Sequence, residues 1–256
     1  MHETSTEFFV GYLPVPARQR RFLIFISGAI LCAIGVTAVL VAARQRDPGP
    51  AQWLDDRATE FVGLVLEHPY PMLRTINPDG SVRTLLIVSE GKLGAAGALV
   101  GWDHRAAKLR GTILMREGTT LLELSEGPKV PESSALAKPQ AASGSPAASR
   151  AVALRGEIID PKCFAGAMKP GDGKPHKSCA ALCLRGGIPP MFTRRNEAGQ
   201  SEFYLITNEA GERAVGALLD ALVARVGHQT ELRGTIQQLD DVTLLRVDAS
   251  QFQGRP

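Results

Sequence analysis

From Phe22 to Ala43 the chain runs 22 residues without a charge, FLIFISGAILCAIGVTAVLVAA. That is long enough to cross a hydrocarbon core of about 30 Å as a helix. Beyond residue 50 the pattern changes to short runs in which apolar and polar positions alternate, which predicts strands. Lys108 to Leu124 reads KLRGTILMREGTTLLEL, and Glu231 to Val247 reads ELRGTIQQLDDVTLLRV. The two agree without a gap at Leu, Arg, Gly, Thr, Ile, Thr, Leu and Leu. Each predicts a β-hairpin: strand, polar turn, strand. Earlier pieces correspond as well, EFVGLVLE with VALRGEIID and RTLLIVSEG with EFYLITNEA. Chance likeness between short strands is the bland alternative. The sequence favours a duplicated domain.

In the second copy the predicted order is a strand at Val152–Ile159, a cysteine-bearing loop, and strands at Met191–Arg194 and Glu202–Thr207. A helix at Glu212–Val226 follows, and then the closing hairpin. The helix rests on Ala214, Val215, Leu218, Leu219, Leu222 and Val226, which share one face. Three strands, a helix and two strands is the order of an OB-type barrel. The first copy has only KLGAAGALVG where that helix would fall. The expected architecture is mainly β with short helices: one transmembrane helix at 22–43, then two tandem OB-like barrels at 51–126 and 151–250. Gly127 to Arg150, rich in Pro, Ala and Ser, reads as the linker between them.

Charge orients the anchor. Arg18, Arg20 and Arg21 precede the apolar run and Arg44 and Arg46 follow it. The small excess on the N-terminal side places residues 1–21 in the cytoplasm and the barrels beyond the membrane. A cleaved signal peptide is disfavoured, because its apolar region spans only about 7–15 residues. The expectation is a single-pass protein of a bacterial inner membrane with a periplasmic C-terminal part. Lys plus Arg number 29 against 26 for Asp plus Glu, and aromatics are 5% of the chain. A basic surface and stacking platforms for nucleic acid are therefore both missing from the reading.

Three of the four cysteines and one of the five histidines crowd into DPKCFAGAMKPGDGKPHKSCAALCLRGGIPP, Asp160 to Pro190. Cys32 sits inside the anchor as a small apolar filler. CAALCLRGG predicts a short helix ending at Gly186, with His176, Cys179 and Cys183 at i, i+3 and i+7. Cys179 and Cys183, at i and i+4, stand too far apart to bond to each other. Cys163, at the end of a strand, could bond to either. A disulfide would leave one thiol over, whereas a metal would use Cys163, His176, Cys179 and Cys183 together. Zinc is the first choice and copper the second. Lys162, Lys169, Lys174, Lys177 and Arg185 are the cations expected to offset the thiolates. His68–Pro71 (HPYP) reads as a rigid loop packed on a barrel. Trp53 is placed at the membrane interface and Trp102 in a barrel mouth.

GEIIDPKC…HKSCAALCLRGGIPP…FYLI…LRGTI resembles small exported bacterial domains of OB-like type. Those carry a G-x-[IV]-x-D-x-x-C strand end, an H-x-x-C-A-x-x-C helix and a G-x-P turn. The resemblance covers Ala151 to Val247 and implies the constellation Asp160, Cys163, His176, Cys179 and Cys183, but no reaction. The favoured role is non-enzymatic: a membrane-tethered accessory subunit with a structural metal, docking on a periplasmic redox or assembly complex. A thiol–disulfide oxidoreductase or metallochaperone using the same cysteines is the alternative. A peptide- or glycan-binding barrel face is a weaker third reading.

Overall fold

The computed structural model describes residues 15–45, 51–53 (main chain), 58–77, 79–132 and 149–252. The chain divides into two compact units, Met1–Asp47 and Pro48–Pro256. In the first, helix α1 spans Ala17–Arg44. Its stretch Gln19–Arg44 is long and apolar enough to cross a membrane. Among the described residues no other helix passes that test. The predicted cytoplasmic segment is described only from residue 15 onward. Most of the predicted linker, 133–148, and the side chain of Trp53 also lie outside the described residues.

The second unit holds two five-stranded barrels. The first is built from β2 (Thr59–Leu66), β3 (Met72–Ile76), β4 (Val82–Ser89), β5 (Ala106–Arg116) and β6 (Thr119–Lys129). A short strand β1 (Ala51–Trp53) adds to the end of β5. Pairing of β5 with β6 closes the sheet. The second barrel comprises β7 (Arg150–Ile159), β8 (Met191–Arg195), β9 (Ser201–Asn208), β10 (Gln229–Leu239) and β11 (Val242–Val247). Since β6 runs to Lys129 and β7 starts at Arg150, the ends of the Gly127–Arg150 segment are strand, with Gly127 and Pro128 at a register shift between Glu126 and Lys129.

The two barrels share one register. Gly111 pairs with Leu124 and Thr59, and Gly234 with Val247 and Val152. Leu86 pairs in parallel with Leu121, as Leu205 does with Leu244. Gly63 and Gly156 hold matching places. A Cβ there would fall 2.3 Å from the Arg74 carbonyl oxygen and 2.2 Å from that of Thr193. Only glycine permits such an approach, which lets each strand coil around its barrel. The duplication read from the hairpins therefore extends to all five strands.

Two insertions separate the copies. Leu66 and Met72 are six residues apart, but their counterparts Ile159 and Met191 are 32 apart. The extra chain forms a π-helical turn at Cys163–Ala167 and helix α2 at Gly173–Arg185. Helix α3 (Gly216–Arg225) fills the place of a one-turn 3-10 segment, Ala96–Leu99, in the first barrel. It starts four residues later than Glu212. The bridge Thr207–Arg213 and the bond from Asn208 N to the Glu212 carbonyl keep the preceding residues in a turn.

Apolar side chains divide into three clusters. Leu85, Ile87, Leu109 and Leu122 fill the first barrel, while Ile158, Phe192, Ile206, Leu232 and Leu245 fill the second beneath α3. The third cluster belongs to neither: it joins Leu66, Tyr70, Met72, Leu86 and Leu121 to Ile159, Met191, Leu205 and Leu244. This explains why TLLIVS in β4 is apolar on both faces. Leu85 and Ile87 point inward, and Leu86 and Val88 point at the other barrel.

Polar contacts across this seam are reciprocal. Asp240, at the β10–β11 turn, accepts from Arg74 Nε of β3 at 2.7 Å. Glu117, at the matching β5–β6 turn, pairs with Arg195 of β8 at 3.4 Å and accepts from the Ser201 hydroxyl. Tyr70, from the HPYP corner, donates to the Ile206 carbonyl at 2.7 Å and accepts from Ala214 N at 2.8 Å. That corner is a packed pin between the barrels. Trp102 borders the first barrel's interior, with the Arg105 guanidinium 5.0 Å from its ring centroid.

Candidate metal centre

Cys163 is presented by the π-helical turn that follows β7. The turn starts on Asp160, whose Oδ1 accepts from the backbone N of Lys162 at 2.9 Å and of Cys163 at 3.4 Å. Phe164 anchors it. The ring packs edge-on to Phe203 at 5.5 Å, and the Arg116 guanidinium of the first barrel lies 4.4 Å from its centroid. Arg116 Nη1 also donates to the Phe164 carbonyl at 3.1 Å. The position of Cys163 is thus fixed from both barrels.

Helix α2 supplies the rest. It begins before the predicted cysteine helix, taking in His176 and carrying Pro175 in its first turn, where the missing N–H costs nothing. It ends at Arg185, with Gly186 as its cap and Gly187 at φ 93°. Ala180 and Leu184 face the second barrel's interior, while Cys183 faces the seam and Cys179 packs beside it.

The sulfurs meet. Cys163 Sγ lies 3.8 Å from Cys179 Sγ and 3.9 Å from Cys183 Sγ, and all three atoms are within 4.8 Å of one another. The thiols are unbonded. Ligands about 2.3 Å from a central ion in tetrahedral array stand about 3.8 Å apart, so these spacings suit a thiolate-bound metal. A second group, Asp160, Cys163 and His176, meets the same 4.8 Å limit and shares Cys163 with the first. His176 Nε2 is 4.0 Å from Asp160 Oδ2. That is too long for a hydrogen bond. Among the described residues, both His176 ring nitrogens and Asp160 Oδ2 are buried without a hydrogen-bond partner. His176 is 2% exposed and Asp160 0%. Buried polar atoms in that state are costly unless something binds them.

Electrostatics follow from the crowding. The Cys163 thiol is pushed up, first by its hydrogen bond with Cys183, then by burial and by the Asp160 carboxylate. Burial pushes His176 below the ordinary imidazole range, and the Asp160 charge works against that shift. A metal would displace the thiol proton and take up the neutral imidazole.

The cations differ from those expected. The residue that meets the thiols is Lys92, from the loop after β4 of the first barrel. Its Nζ is 2.7 Å from Cys179 Sγ and 3.8 Å from Cys183 Sγ. The Cys179 contact raises the Lys92 pKa. Lys162 turns away instead: its Nζ pairs with Glu123 at 2.6 Å and donates to the Ser89 and Gly91 carbonyls at 2.6 Å each. Lys177 lies 3.0 Å from His228 Nε2. Glycines set the reach of Lys92. Gly94 N donates to the Gly186 carbonyl at 3.0 Å, and a Cβ on Gly186 would lie 1.8 Å from the Lys92 carbonyl oxygen. Nothing in the local sequence of SEGKLG announces this.

No protein-family model, curated protein or solved structure matched the chain in comparison.

Proposed function

We propose that this is a membrane-anchored accessory protein whose second barrel holds a thiophilic metal ion on Cys163, Cys179 and Cys183. His176 belongs to the same ligand constellation. Zinc is the first choice and copper the second. In this reading α1 is a single span of a bacterial inner membrane, the barrels lie in the periplasm, and they dock on a redox or assembly complex there. The likeness to small exported OB-like domains supports that placement. The observation that carries the proposal is the convergence of three sulfurs, from two elements, at spacings of 3.8 and 3.9 Å. A disulfide joins two sulfurs at about 2.05 Å and gives the third no reason to be equally near.

Metal analysis of the full chain in detergent, with thiols counted under denaturant, tests the ligand claim. The expected result is at least one equivalent of metal and three titratable thiols besides Cys32. Replacing any of the three cysteines by Ser should lower the metal content, and chelators should lower Tm while reductants do not. A metal-free chain with only two titratable thiols in all would instead mean a disulfide. A periplasm-dependent reporter after Pro256 tests orientation and should be active.

A second reading is favoured by Lys92. The Lys92 ammonium stands 2.7 Å from the half-buried Cys179 sulfur, placed to pair with a thiolate there, the reacting form in disulfide exchange. If that is its task, Cys179 should form mixed disulfides with client proteins once its resolving partner is removed.

A further inference from the structure

Single-ion binding leaves the deepest part of the cluster unexplained. His176 and Asp160 are almost wholly buried, their facing atoms lack partners, and they stand with Cys163 rather than with all three sulfurs. We propose that the cluster is a two-metal site: an outer ion on Cys163, Cys179 and Cys183, and an inner ion on Cys163, His176 and Asp160, with the Cys163 thiolate bridging them. This rests on the metal-binding reading above and extends it to a second ion.

Charge supports the pair. Three thiolates and one carboxylate carry a formal charge of −4, and an imidazole that ligates a metal adds none. One divalent ion would leave −2 on largely buried groups, with the exposed Lys92 ammonium the nearest offset found among the described residues. A second divalent ion brings the formal sum to zero, which a buried site requires unless its charge is otherwise paired. Each ion then has three protein ligands and one position for water or a partner's group, the arrangement of a working rather than a closed metal site. Burial also ranks the two positions. The outer ion lies beside half-buried Cys179, whereas the inner ion lies behind Cys163 among residues 0–8% exposed.

The test uses the full chain in detergent, stripped of metal and reloaded with Zn²⁺ or Co²⁺ alone. Two equivalents should bind the unaltered chain. His176→Ala and Asp160→Asn should each bind one, and Cys179→Ser should also bind one. A chelator should remove the first equivalent at least tenfold faster than the second. With Co²⁺, coupling through the shared thiolate should leave the spin signal per cobalt weaker in the unaltered chain than in His176→Ala. One equivalent in the unaltered chain, or two retained in both inner-site variants, overturns the two-metal site and leaves the three-thiolate reading standing. No bound metal overturns both. Stoichiometry in the unaltered chain decides the matter even where a variant fails to fold.

Discussion

The two barrels have the same strands in the same register, yet the cysteine site is formed in only one. Between Leu66 and Met72 the first copy has a short corner ending in a packed tyrosine; between Ile159 and Met191 the second has a turn, a helix and three thiols. The chemistry is therefore carried on an insertion between two strands and displaces neither. What the first copy kept is also informative. Its loop after β4 supplies Lys92, and its β5 supplies Arg116, so the barrel without a site holds and charges the site of the other.

The largest effect should come from a buried ion pair that has no counterpart among the described residues. Lys162 and Glu123 side chains are 7% and 10% exposed. Lys162→Met leaves Glu123 buried without its cation and should cost about 3–5 kcal/mol in urea unfolding. Glu123 corresponds to Arg246 of the second barrel, whose Nη2 donates to the Ala210 carbonyl in an exposed contact. Arg246→Met should cost less than about 1 kcal/mol. Equal losses would mean that the seam does not distinguish the copies.

Next in size is a test of their equivalence. Gly63→Ala and Gly156→Ala put a Cβ 2.3 and 2.2 Å from a carbonyl oxygen. Each should destabilise by about 3 kcal/mol, from overpacking that backbone must absorb. A difference well beyond 1 kcal/mol would show that one barrel is the softer.

A smaller effect lies at Glu157, which stands where the first barrel has Leu64. Burial raises its carboxyl above the usual carboxylate range, although Gly173 N donates to it. The folded state therefore holds this proton more tightly than the unfolded one. The resulting stability is present below about pH 4.5 and is lost as pH rises through the folded value. Glu157→Gln should be better tolerated at pH 7 than at pH 4 in thermal melts, and the opposite order would refute the sign. The smallest effect is expected from a protease site placed within 133–148. Cutting there should leave the halves co-eluting, because Leu66, Met72, Leu86 and Leu121 remain packed on Ile159, Met191, Leu205 and Leu244.

The sequence made the duplication legible because the hairpins preserve it residue for residue, from Leu109–Ile113 to Leu232–Ile236. It also placed Cys163 at a strand end and Cys179 and Cys183 on one helix. Helical spacing could not say on which side of Cys163 the His176 ring falls, since that depends on how α2 lies against β7. Lys92 was hidden for a different reason. Its approach depends on main chain meeting main chain at Gly94 and Gly186, and no periodicity encodes a contact between segments so far apart. Lys162 misled because spacing shows a cation near a thiol but not the Glu123 that claims it.

At the seam Leu66, Met72, Leu86 and Leu121 pack on their own counterparts, Ile159, Met191, Leu205 and Leu244, which is the form of an isologous interface between identical subunits. A chain built this way contains its own homodimer. Fusion makes the association intramolecular and independent of protein concentration. It also lifts a constraint that symmetry imposes. In a true homodimer any insertion appears twice, and the loop bearing Lys92 would face a subunit obliged to carry the same extra helix. With both copies on one chain, one can acquire a metal-binding arm while the other stays bare enough to receive it.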